Sequence, residues 1–305
     1  MSHAQAVLLL VACNVMWSIS GVVTRQLERA SGFEVAFWRN VFTVLALLPL
    51  LAWLRGRRRV WTALHSGTGT MWGSAACWGI MFTAFMLALT MTTVANVLVT
   101  LALTPLLTAL TARVALGHRL AAHTLVAILL AATGMAWMYG HELARADGGQ
   151  VLGIAIAAAV PVCAAINWTL LHHAGRAASA HAPDMLTAIL LGAALAALAT
   201  LPLALPVLAS TRDLAWLALL GAVQLAVPCV LAVYVARVLP APEMALFGLL
   251  EILLGVTWVW LFAGERPSGA VLAGGALVLT ALVMNEAFGM ARARRAAHRV
   301  RRARS

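Results

Sequence analysis

Glu251 lies midway along an apolar stretch from 243 to 263, and it is the one acidic residue well inside such a stretch. An ionised, unpaired carboxylate in hydrocarbon costs several kcal/mol, so this one is protonated, paired or turned toward a water-filled cavity. Its chemistry would be to hold an ammonium group or to carry a coupling proton. The plain alternative is a hydrogen bond to a neighbouring helix.

Other polar residues sit in apolar surroundings at telling spacings. Asn14, Trp17 and Ser18 share one helix face, where amide, hydroxyl and indole together suit an amphipathic organic solute. Asn96, Thr100 and Thr104 recur every fourth residue and form a polar stripe that ends beside Pro105. Trp78, Asn167, Trp168 and Gln224 are further candidates for a cavity lining. Each has a structural reading as well, since interhelical polar contacts contribute about 0.6 kcal/mol on average and bind helices together without any ligand. Trp53, Trp61, Trp72, Trp137 and Trp216 fall near the ends of apolar stretches, where anchoring at the interface is the default. For Arg39, a structural partner such as Glu34 or a loop carbonyl is expected ahead of substrate contact.

No catalytic constellation is visible. Cys13, Cys77, Cys163 and Cys229 all lie in apolar stretches and none forms a C-x-x-C pair. The histidines occupy loops, tails or stretch ends, without H-E-x-x-H spacing, so neither a metal nor another cofactor is expected. The chain contains no lysine, which rules out a G-x-x-x-x-G-K-[ST] phosphate loop.

The elements that must position these residues follow from composition. Of 305 residues, 63% are hydrophobic and 10% charged, with mean hydropathy +0.94. Soluble domains carry about 25% charged residues, so lipid must solvate most of this chain. About 20 apolar residues cross the hydrocarbon as a helix. Spans are expected near 5–24, 35–54, 70–90, 92–114, 122–140, 150–172, 185–208, 213–237, 243–263 and 268–290. The tight junctions Thr90 to Thr93 and Leu239 to Glu243 imply antiparallel neighbours. The start of the chain lacks a basic leader pattern, so the first apolar run is read as a retained helix.

The formal charge is +11, and the basic residues behind it are all arginine, 21 of them against 10 acids. Arginines between apolar stretches point to membrane topology ahead of nucleic-acid binding, and no nucleic acid is expected as partner. With the amino terminus in the cytoplasm, the inner segments carry most of them, from Arg55, Arg57 and Arg58 to the tail. The opposite loops carry Arg25, Arg29, Arg145, Arg212 and Arg266. Both termini are therefore placed in the cytoplasm, with 291–305 a basic, disordered tail held at the anionic leaflet.

Shifting the chain by 147 residues places Leu103, Leu106, Gly117 and Arg119 on Leu250, Leu253, Gly264 and Arg266. Halves 1–147 and 148–290 would each hold five helices, and the odd number inverts the second half. The fold class expected is thus an all-α integral membrane protein of ten transmembrane helices in a 5+5 inverted-topology repeat.

The motifs also carry a likeness. Asn14-Val-Met-Trp17-Ser18, Phe37-Trp38-Arg39, Ala95-Asn96, Thr104-Pro105, Leu116-Gly117-His118-Arg119, Leu250-Glu251 and Ala263-Gly264-Glu265-Arg266 form a pattern that resembles the EamA family of the drug/metabolite transporter superfamily, over essentially the whole chain. Ser18 stands where that family has glycine, His118 where it has glutamate and Ile252 where it has proline. The resemblance implies a central cavity lined by the first, third, fourth, sixth, eighth and ninth helices, and export of small metabolites.

The expected function is a secondary transporter of the inner (cytoplasmic) membrane that exports an amino acid, related organic solute or drug-like compound by alternating access. Its partners would be a small-molecule substrate and the bilayer, with proton coupling through Glu251 an open possibility and the oligomeric state open. The rival classes are an intramembrane enzyme acting on a lipid-linked substrate, for which Glu251 lacks acidic companions, and a channel, which would need a repeated filter. No enzyme activity is expected.

Overall fold

The computed structural model describes all residues except 31, 59–60, 63–67, 117–121, 144–147, 177–184, 236–237, 240 and 303–305. Among the described residues the chain is helical, without strands. The helices are α1 (His3–Ser18), α2 (Ser20–Thr24), α3 (Gly32–Arg55), α4 (Gly69–Met91), α5 (Val94–Leu101), α6 (Thr104–Leu116), α7 (Ala122–Leu143), α8 (Gly148–Arg176), α9 (Met185–Thr200), α10 (Thr211–Leu219), α11 (Val227–Val235), α12 (Ala241–Phe262) and α13 (Gly269–Arg302). A π-helical segment, Leu220–Ala226, joins α10 to α11 into one rod.

Seven helical segments are long and apolar enough to cross a membrane: His3–Thr24, Gly32–Arg55, Gly69–Met91, Gly148–Asn167, Leu186–Leu203, Thr211–Val235 and Gly269–Gly289. Shorter apolar helices, Val94–Thr108, Ala122–Met138 and Leu250–Phe262, fall where the sequence predicts the fourth, fifth and ninth spans. The protein is a multi-pass membrane protein.

Local sequence sets the helix starts. Ser2 and Gln5 form a reciprocal cap at α1, and Ser210 with Asp213 does the same at α10. Thr93 accepts from the Asn96 amide at 3.2 Å and opens α5 one residue after α4 ends. The Leu239 to Glu243 junction lies partly outside the described residues.

Three segments differ from the sequence expectation. The predicted fourth span breaks at Ala102 and Leu103, because Pro105 lacks an amide hydrogen and is accommodated in the first turn of a new helix, α6. The eighth span contains the π segment. The backbone of α13 continues to Arg302 where a disordered tail is expected, since an Ala/Arg-rich stretch has high intrinsic helix propensity.

Packing follows small residues, as it must where lipid removes the hydrophobic drive between helices. α4 packs on α8 and α9, α3 on α9 and the π segment, α1 on α11 and α12, and α6 on α8. α7 lies along α13, where Gly134 and Gly274 cross. A Cβ on Gly134 would come within 2.8 Å of the Gly274 carbonyl oxygen, and one on Gly274 within 2.6 Å of the Gly134 carbonyl oxygen, so only glycine fits. Large apolar side chains such as Leu8, Leu198 and Trp53 point outward, as a lipid-facing surface requires. Trp61, Trp72 and Trp137 are also exposed, while Trp216 packs partly inside.

Candidate functional site

Phe82, Gln224 and Glu251 each lie near the middle of a span, in α4, the π segment and α12 respectively. Arg39 of α3 reaches the same level. Its side chain is 2% exposed; Nη2 donates to Gln224 Oε1 at 3.0 Å and Nη1 to the Phe82 carbonyl at 3.4 Å, while Nε has no partner. The rings of Phe82 and Phe85 flank the guanidinium at 6.0 and 5.9 Å, within the range of a cation–π attraction.

Gln224 ties this cation to the first helix, donating from Nε2 to the Trp17 carbonyl at 3.2 Å. The π segment makes this possible. Gly221 lets it press against α3, where an added Cβ would meet the Arg39 carbonyl oxygen at 2.6 Å, and Thr43 Oγ1 donates to the Gly221 carbonyl at 3.2 Å. The wider turn offsets the helix register by one residue, and such bulges recur at functional sites.

Cys229 lies one turn beyond. The Trp17 side chain hydrogen-bonds it, and it is within electrostatic reach of Arg39, Cys13 and Glu251. Glu251 is half-buried and has no hydrogen-bond or ion-pair partner among the described residues. Trp78 joins the same wall through Phe82, with ring centroids 5.3 Å apart. The structure thus brings Gln224 onto a buried cation that the sequence reading assigned to a structural role, with Trp17 and Trp78 joined to it through Gln224 and Phe82, while Glu251 is connected to it only through Cys229.

The other expected site residues are engaged elsewhere. Asn14 donates to the Leu10 carbonyl at 2.8 Å, leaving Oδ1 buried without a partner. Ser18 donates to the Val15 carbonyl and accepts from the Trp258 indole at 3.0 Å, a link between α1 and α12. On the α5 stripe, Asn96 Nδ2 donates to Thr92 Oγ1, Thr100 Oγ1 to the Asn96 carbonyl and Thr104 Oγ1 to the Leu101 carbonyl. Asn167 accepts from Ser74 Oγ at 2.6 Å and joins α8 to α4. The side chain of Trp168 lies outside the described residues.

Glu34 is not the partner of Arg39. It accepts from the Leu208 and Ala209 amides at 2.9 and 2.8 Å instead. An i, i+5 spacing turns the two side chains to different sides of α3, and the loop amides need an acceptor that a cation cannot supply.

One face of the bundle is stapled by acids that sequence reasoning did not assign. Asp213 accepts from the Glu28, Arg29, Ala30 and Ser210 amides at 2.7–3.2 Å. Arg212 pairs with Glu28 beside it. Arg25 donates to Glu265 Oε2 at 2.9 Å and to the Leu89 and Thr92 carbonyls, while Glu265 Oε1 accepts from the Val94 amide at 2.7 Å. The signal for Glu265 was its Gly-Glu-Arg setting; Asp213 showed only as half of a Ser-x-x-Asp cap.

Among the described residues no group of three His, Cys, Asp or Glu side chains is placed to hold a metal. An apolar cleft of about 170 Å³ between α7 and α13, lined by His123, Leu130 and Phe288 among others, is separate from the Arg39 layer.

The sequence profile of the EamA-like transporter family matches residues 4–140. Over those residues the chain is similar to that family. No curated protein matches the chain in sequence. A solved crystal structure, described only as that of a protein, is 19% identical with a TM-score of 0.60; the match covers 93% of this chain and 98% of the other. At that identity the likeness speaks for the fold.

Proposed function

We propose that this protein is a secondary transporter that exports a small organic solute, an amino acid, related metabolite or drug-like compound, across the cytoplasmic membrane by alternating access. The observation that carries the reading is the layer of Trp17, Arg39 and Gln224, with Glu251 linked to it through Cys229, at mid-depth of a largely apolar bundle whose residues 4–140 are EamA-like. Charged groups persist at such depth where a solute or ion path needs them.

The helix partners support two halves, 1–147 and 148–290, each of five spans in opposite orientation. Exchanging the first span with the sixth, the second with the seventh and so on maps α4 against α8 onto α11 against α1. It also maps α12 against α1 onto α6 against α8, and leaves the α7–α13 and α3–α9 pairs self-matched. Both termini would face the cytoplasm, the side richer in arginine.

Glu251, half-buried and unpaired among the described residues, is the group that would titrate during transport. Flux from proteoliposomes with Glu251→Gln tests this. We expect the rate to fall at least tenfold or to lose its dependence on an imposed pH gradient; an unchanged rate with unchanged pH dependence overturns the assignment. Saturable, exchange-stimulated flux of a wild-type substrate distinguishes a transporter from a channel, which would conduct without saturation.

A further inference from the structure

Among the described residues the cation at Arg39 is buried without an anion to match it. Of its five N–H donors, two reach acceptors and both acceptors are neutral; the Phe82 carbonyl is a long 3.4 Å away, and Nε is buried with no partner at all. Acids on the elements packed around it are committed to backbone amides: Glu34 to Leu208 and Ala209, Asp213 to the 28–30 turn. Glu251 lies within electrostatic reach of Cys229 but makes no ion pair with Arg39 among the described residues. A desolvated guanidinium left in this state binds a carboxylate far more strongly than a water-exposed one would, through charge-assisted hydrogen bonds with fixed geometry.

We propose that Arg39 is the docking point for a carboxylate on the transported solute, which makes the substrate class a monocarboxylate with an apolar or ammonium-bearing body. The proposal rests on the transporter reading above. Three features define the class. One guanidinium can serve one carboxylate. Glu251, which like Arg39 lies within electrostatic reach of Cys229, would oppose a second negative charge and favour a neutral or cationic far end of the solute, so polyanions are excluded. Trp17, Trp78, Phe82 and Phe85 supply flat apolar walls for the body of the solute. Gln224 is placed to yield: it occupies Nη2 with a neutral amide, and it sits on a π turn whose hydrogen bonding is locally adjustable.

The test is direct binding to the purified full-length protein, followed by tryptophan fluorescence and thermal unfolding, with L-leucine, L-phenylalanine, benzoate and citrate as carboxylate probes. L-leucinamide and phenethylamine are their carboxylate-free counterparts. We expect saturable binding of at least one monocarboxylate, at least tenfold weaker binding of its carboxylate-free counterpart, and none of citrate. Arg39→Gln should lose at least tenfold in affinity, with Arg39→Lys intermediate. Binding of leucinamide as tight as leucine, binding of no monocarboxylate, or undiminished affinity in Arg39→Gln overturns the proposal. The wild-type comparison needs no variant, so poor folding of Arg39→Gln does not remove the test. Saturable flux of a carboxylate-free solute alone would overturn the Arg39 assignment and leave the transporter reading standing. Carboxylate binding at Arg39 without any saturable flux would do the reverse.

Discussion

Gln224 does two jobs with one side chain, accepting from Arg39 and donating to the Trp17 carbonyl, and so holds three spans at one level. Gln224→Leu removes both bonds and leaves a buried guanidinium with a single long contact. A buried donor to a charged-group bond that loses its acceptor costs about 1–3 kcal/mol. We expect a lowered unfolding temperature in detergent, and an unchanged one would show that the bridge is not structural. Gln224 and Glu251 were legible in the sequence because amides and acids stand out in apolar runs. Their partners were not. The Arg39–Gln224 contact spans 185 residues, and which side chains meet depends on which helices pack and in what register. The expected Glu34–Arg39 pair failed for the same reason: proximity along the chain said nothing of the loop amides that claim Glu34.

At the scale of elements, the apolar stretches were readable to within a few residues, since hydrocarbon imposes their length. The breaks inside them were not, because they answer to packing. Pro105 sits in the first turn of α6 and divides a stretch that reads as one span, and nothing in Leu220–Ala226 announces a π turn. Gly221 is the element-scale requirement behind that turn. Gly221→Ala would push a methyl group to 2.6 Å from the Arg39 carbonyl oxygen, and overpacking of this kind costs about 1–3 kcal/mol. Reduced thermal stability and weakened binding of any ligand that docks at Arg39 are expected together; full stability would mean that α3 can retreat without cost. The α10 start carries a second dependence. Asp213→Ala strips the acceptor from four backbone amides, and we expect destabilisation of about 2–3 kcal/mol, as for lost charged caps and hydrogen bonds. Denaturation in detergent would check it, with Asp213→Asn expected to retain part of the loss because its amide oxygen still accepts.

For the whole molecule, the staples all lie on one face, and they link early residues to late ones. Arg25 and the 89–94 turn belong to the first half and Glu265 to the second; Glu28, Arg29 and Ala30 meet Asp213 across the same division. In the proposed alternating-access cycle such a face must part once per turnover, so its strength would set how the two end states are populated. Glu265 is more than a counter-charge here, because its second oxygen holds the Val94 amide at the start of α5. Reversing the pair with Arg25→Glu and Glu265→Arg would restore opposite charges, but a guanidinium at position 265 cannot accept from the Val94 amide and a carboxylate at position 25 cannot donate to the Leu89 and Thr92 carbonyls. The double variant should therefore not rescue Glu265→Gln. Hydrogen–deuterium exchange in nanodiscs reads this out: faster uptake at 89–94 and 263–268 is expected in Glu265→Gln and in the reversed pair alike. Rescue of protection by the reversed pair would show that charge alone closes this face, and unchanged uptake in Glu265→Gln would show that the staple carries no share of the closure.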